Sequence, residues 1–152
     1  MTGPVTPAPQ EPAPQDPAPA PVDVRLTPVR AVMSTTVVAV QGGCHLSVAV
    51  DTFVRTGLRH LVVVDAEGRS GGVLSHEHVT AAWLDTRSHT APRVEDVATD
   101  PETYVTADAT VQQAARLMRD TGVDAVPVVR RDGRLIGVLT RTDLVRLLAG
   151  PS

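Results

Sequence analysis

Gly122-Val123-Asp124-Ala125-Val126-Pro127-Val128-Val129, then Asp132-Gly133-Arg134-Leu135-Ile136-Gly137-Val138-Leu139-Thr140-Arg141-Thr142-Asp143-Leu144, is the stretch that decides the fold. Val126 to Val129 is a continuous apolar run of the kind found in buried strands. Arg131-Asp132-Gly133-Arg134 reads as a tight turn, and Leu135 to Leu139 as the return strand of a hairpin. Upstream, Val111, Ala114, Ala115 and Met118 recur at i, i+3, i+4 and i+7, the spacing of one buried helix face. Thr110, with Gln113 three residues on, starts that helix as a capping box, and Gly122 stops it. Tyr104-Val105 reads as a short strand before it. Thr140 opens a last helix whose expected buried face is Leu144, Val145, Leu147 and Leu148. The unit is β-α-β-β-α.

Shifted by 65 residues, the chain matches itself without a gap. The identities include Val29/Val94, Val32/Val97, Val40/Val105, Ala49/Ala114 and Gly57/Gly122, then Val63/Val128, Gly68/Gly133, Gly72/Gly137 and Leu74/Leu139. The earlier copy has a helix carrying Leu46, Ala49, Val50 and Phe53. Strands follow at Leu61 to Val64 and Gly72 to Leu74, then a helix from His76. One such unit has too small a core to stand alone. Two copies can bury their sheets together with approximate two-fold symmetry. The expected organisation is a tail over 1–23, one repeat over 24–88 and a second over 89–150, in an α+β fold. Residues 1–21 hold eight prolines and almost nothing bulky to bury, so a disordered segment is expected there.

Composition narrows the function. All 14 basic residues are Arg, so lysine chemistry, including a P-loop lysine, is excluded. A net charge of −3 argues against nucleic acid as a partner, and Phe53, Trp83 and Tyr104 are too few for a base-stacking platform. No apolar run approaches the ~18 residues of a membrane span. With Cys44 as the single cysteine, no internal disulfide forms, and a cytoplasmic location is expected. There is no G-x-S-x-G elbow and no paired carboxylates on one helix face, so the chain is expected to be non-enzymatic, without cofactor.

The glycine-bounded strand followed by Asp132-Gly133 and Thr140-x-x-Asp143 resembles a cystathionine-β-synthase (CBS) domain, with the first repeat a more diverged copy. The resemblance covers about residues 24–150 and implies a tandem pair, or Bateman module, here standing alone. Such modules bind adenosine nucleotides in the clefts between repeats and often form homodimers that regulate another protein. It implies AMP, ADP, ATP or S-adenosylmethionine as ligand in the cleft of the second repeat. Thr140 and Arg141 would hold phosphate at a helix N-terminus, and the Asp143 carboxylate would hold the ribose hydroxyls. The purine would lie against Val123, Asp124, Ala125 and Val126, with Thr106 a weaker candidate. Spacing alone favours reading Thr140 and Asp143 as a plain capping box with no ligand.

The first repeat departs from this pattern. Ser75 keeps the hydroxyl, but His78 stands where Asp143 stands in the second, and His60 replaces Ala125. A neutral imidazole offers one acceptor where a carboxylate offers two, so this cleft is expected to hold a ribonucleotide poorly. Cys44, His45, His60, His76 and His78 are of metal-ligating types, yet their spacing matches no zinc signature, and no metal site is expected. Arg130-Arg131 reads as a solvated turn. The leading expectation is a regulatory nucleotide sensor. The alternative is a structural or interaction module, a CBS homodimer with empty clefts.

Overall fold

Local signals in the sequence set most of the elements. The computed structural model describes residue 3 and residues 23–85 and 91–150. The expectation of a disordered tail falls, apart from residues 3 and 23, outside the described residues, as do residues 86–90 between the repeats. In the first half, β1 (Ala39–Gln41) leads into α1 (Leu46–Thr56), β2 (His60–Val64), β3 (Ser70–Ser75) and α2 (His76–Leu84). A short helix, α3 (Val94–Val97), then opens the second half. It is followed by β4 (Val105–Thr106), α4 (Val111–Thr121), β5 (Ala125–Val129), β6 (Leu135–Thr140) and α5 (Arg141–Ala149). Helix α4 starts at the expected box: Thr110 Oγ1 accepts from the Gln113 N–H at 3.2 Å and Gln113 Oε1 from the Thr110 N–H at 2.9 Å. It ends at Gly122, whose φ of 72° a side chain would resist.

Each half has one three-stranded sheet, ordered β1-β2-β3 or β4-β5-β6, with the first pair parallel and the hairpin antiparallel. Register places His60 opposite Ser75 and Ala125 opposite Thr140, so each hairpin ends where its last helix begins. The halves meet at β3 and β5. They also meet at a bridge between Arg69 and Arg134, where Ser70 N–H donates to the Gly133 carbonyl and Leu135 N–H to the Gly68 carbonyl. Because 69 and 134 are equivalent positions in the repeat, this bridge lies on the pseudo-two-fold axis.

The leading segment of each half is packed into the other. Val29 is fully buried in the core built by Val105, Ala114, Val126 and Leu139. Its counterpart Val94 is fully buried in the core of Leu46, Ala49, Leu61 and Leu74. The backbone repeats the exchange. Val29 N–H donates to the Ala109 carbonyl and Val94 N–H to the Cys44 carbonyl; Ser34 N–H donates to Val138 and Thr99 N–H to Val73. Each core is thus closed by the other repeat's chain, and neither half is self-contained.

Two expectations change in the structure. The Leu144, Val145, Leu147 and Leu148 face of α5 is not a buried face: Leu144 and Leu147 are half-buried, while Val145 is 58% and Leu148 72% exposed. Among the described residues neither Val145 nor Leu148 belongs to a core, and Leu148 lines an open groove with Val111 and Ala115. Cys44, which the 65-residue shift pairs with Ala109 and so puts near the mouth of the first repeat's cleft, packs against the first core.

Candidate ligand-binding cleft between the halves

Helix α5 begins at Thr140 because β6 ends there and its side chain caps the first turn. Thr140 Oγ1 accepts from the Asp143 N–H at 3.3 Å. Asp143 Oδ2 accepts from the Thr140 N–H at 2.9 Å and from its hydroxyl at 3.0 Å. The capping box is therefore real, and it consumes one carboxylate oxygen. Asp143 Oδ1 accepts no hydrogen bond from the described residues. The cap and a ligand role coexist, with one oxygen for each. In this state the Thr140 hydroxyl proton is directed at Asp143, so reaching a phosphate requires the hydroxyl to turn.

Thr140, Arg141 and Asp143 line a cleft of about 460 Å³, within the usual range of small-molecule sites. Its far wall comes from the first half. Ser34 and Thr36 lie on the segment entering β1, and Leu58, Arg59 and His60 lead into β2. The residues of the expected purine wall are placed apart. Val123 and Ala125 line the other, smaller cleft, Val126 is fully buried in the core, and Thr106 is exposed on β4 and lines neither cleft. Only Asp124 of that group reaches the Asp143 cleft. The reason is the two-fold packing: positions 123–125 of one repeat face the helix start of the other, so the equivalent residues Leu58, Arg59 and His60 face Asp143. Ser34, Thr36 and Arg59 are the residues that a reading within one repeat misses. The 65-residue shift carries the signal that finds the last of them.

The smaller cleft, about 220 Å³, is lined by Ser75, His78 and Thr99 on one side and Val123 and Ala125 on the other. Ser75 Oγ accepts from the His78 N–H at 3.2 Å, a one-way cap without the reciprocal carboxylate. His60, Glu77, Asp124 and Arg141 line both clefts. His60 Nε2 lies 2.8 Å from Asp124 Oδ1, a contact between the halves, with the imidazole only 16% exposed. Burial opposes ionisation of Asp124. It is outweighed by the hydrogen bond and charge of His60, helped by the backbone and by Arg141, so its carboxyl sits below the usual carboxylate range. The guanidinium groups of Arg59 and Arg141 donate no hydrogen bond to a described residue, which leaves two cations on opposite walls of the larger cleft. No three His, Cys, Asp or Glu side chains converge as a metal-binding group among the described residues. None of the described helices is long and apolar enough to cross a membrane.

A pseudo-symmetric pair of β-α-β-β-α halves, with a polar cleft at each helix start, is the architecture of a tandem domain pair. The CBS domain model matches residues 29–85 and 94–150, and the chain belongs to that family. It is 36% identical over 89 residues to the magnesium transporter MgtE of Thermus thermophilus. The match takes in 59% of this chain but 18% of the transporter, so it concerns one part of a much longer protein. Among solved structures, CBSX2 in complex with AMP superposes with a TM-score of 0.68 at 27% identity, over 81% of this chain and 96% of that one. The cytosolic domain of the Mg2+ channel MgtE in complex with ATP gives 0.64 at 28% identity, over 78% of this chain and 48% of that one.

Proposed function

We propose that this chain is a regulatory module that binds an adenosine ribonucleotide in the larger cleft. The observation that carries the reading is Asp143 Oδ1, which accepts no hydrogen bond from a described residue and lies in one cleft with Arg59 and Arg141, whose guanidinium groups donate none to a described residue. A ribose hydroxyl satisfies that oxygen. Thr142, Arg59 and Arg141 offer a phosphate both donors and charge, while the Arg141 and Asp143 N–H groups already donate to the Asp124 carbonyl and to Thr140 Oγ1. The ligands named for the AMP- and ATP-bound relatives support an adenine nucleotide as the class. Calorimetric titration with AMP and 2′-deoxy-AMP tests it. Asp143→Ala is expected to weaken AMP by about tenfold to a hundredfold, the loss of a charge-assisted hydrogen bond of ~1.5–3 kcal/mol, and to erase discrimination against the deoxy sugar. A variant that melts lower yet binds AMP as before would show that Asp143 is only a cap.

A second reading rests on a separate observation. Val54, Trp83, Leu84 and Leu148 are large, apolar and more than half exposed, which suits a protein-interaction module, including a homodimer, with or without nucleotide.

A further inference from the structure

Among the described residues His60 is the one imidazole in contact with both clefts and with the opposite half. Facing it are Asp124 from the turn before β5, Arg141 and Asp143 at the start of α5, Glu77 and His78 at the start of α2, and Arg59 beside it. In the larger cleft these amount to two arginines against three carboxylates. With His60 neutral, an entering phosphate or other anion meets surplus negative charge, part of it from Asp124. With His60 protonated, the Asp124 carboxylate is neutralised by a cation 2.8 Å away and the lining is balanced.

We propose that the His60–Asp124 pair sets the charge of ligand the larger cleft accepts, taking up a proton on His60 when an anionic nucleoside derivative binds there. Imidazole is the side chain whose charge ordinarily changes between pH 5 and 8. By linkage, a ligand that favours the protonated pair binds more tightly as pH falls, while an uncharged ligand gains nothing. The device is peculiar to this asymmetric pair: the second repeat has Ala125 where the first has His60, and the first has Arg59 where the second has Asp124. The proposal rests on the larger cleft being a nucleoside site.

The test uses two probes that do not titrate in the working range, adenosine 5′-sulfate, a fixed monoanion, and adenosine. Both are titrated calorimetrically into the full chain at pH 8 and pH 6. The sulfate ester is expected to bind about fivefold to tenfold more tightly at pH 6, and adenosine to change by less than about twofold. Asp124→Asn is expected to bind the ester at pH 8 as the native protein does at pH 6, since two arginines then face two carboxylates with His60 neutral. This is a gain that a misfolded variant cannot mimic. His60→Gln flattens the response at the weak level, and His78→Gln retains the native slope. A native slope surviving in His60→Gln, or absent from the native chain while both probes bind, overturns the proposal and leaves the nucleoside site standing. Failure of both probes to bind at either pH overturns the nucleoside site itself, and this proposal with it.

Discussion

Asp124 is held ionised by a neighbour 64 residues away in sequence, so its effect on stability has a definite sign. A carboxyl whose folded value lies below its unfolded one contributes stability above the ordinary carboxylate range. That contribution fades as pH falls through the lowered value. The native chain and Asp124→Asn should therefore differ most in melting temperature near neutral pH and converge on acidification below about pH 4. Parallel curves across pH 7 to 3 would mean that the pair contributes no linkage. At this scale the sequence revealed local chemistry and hid the rest. Thr140 and Asp143 were legible because a capping box is a three-residue pattern. His60–Asp124 was not, because no spacing encodes a contact across the symmetry axis. Arg59 stands between the two: the 65-residue shift makes it the equivalent of Asp124, and the docking of the halves brings it to the Asp143 cleft.

The elements were largely readable, since glycine stops, apolar runs and helix spacing act locally, and the strands differ from expectation by a residue or two at their ends. The exchange of leading segments was not. Val29 and Val94 show as an apolar repeat pair, but apolarity says that a residue is buried and not in which half. The trace of the exchange in the sequence is the pair Gly72/Gly137. A Cβ on Gly137 would sit 2.8 Å from the Ser34 carbonyl oxygen, and one on Gly72 2.3 Å from that of Thr99 at a φ of +104°. Both contacts are backbone of the crossing segment, which cannot turn aside as a side chain does. Gly57 has a φ of +67° but open space around it. Urea denaturation should therefore rank the alanine variants: Gly57→Ala costs about 1 kcal/mol, the strain of a left-handed residue. Gly137→Ala costs about 1–3 kcal/mol through overpacking, and Gly72→Ala more than either because both penalties apply. Equal losses at Gly57 and Gly72 would mean that the crossing segment yields easily.

The whole molecule combines symmetric architecture with unequal clefts. The Asp143 cleft is about 460 Å³ and the Ser75/His78 cleft about 220 Å³, below the usual range of small-molecule sites. Equilibrium dialysis at pH 7.5 should therefore count one nucleotide per chain, and two equal sites would contradict the asymmetry. The outer helix faces carry the last expectation. Val50, Phe53, Val54, Val79, Trp83 and Leu84 line an apolar groove between α1 and α2. Val111, Ala115, Leu144, Leu147 and Leu148 line its counterpart between α4 and α5. Trp83 at 57%, Leu84 at 72% and Leu148 at 72% exposure are large groups whose contact with water is unfavourable by roughly 25 cal/mol per Å², and a second copy presents the matching helices. The expected assembly is a homodimer through both grooves. Sedimentation of the native chain at micromolar concentration should give twice the 16.0 kDa chain mass. Trp83→Glu with Leu148→Glu should give a monomer with an unchanged far-ultraviolet spectrum, since neither side chain belongs to a core. A native chain that sediments as a monomer across that range would assign these faces to a different protein, the interaction module of the second reading.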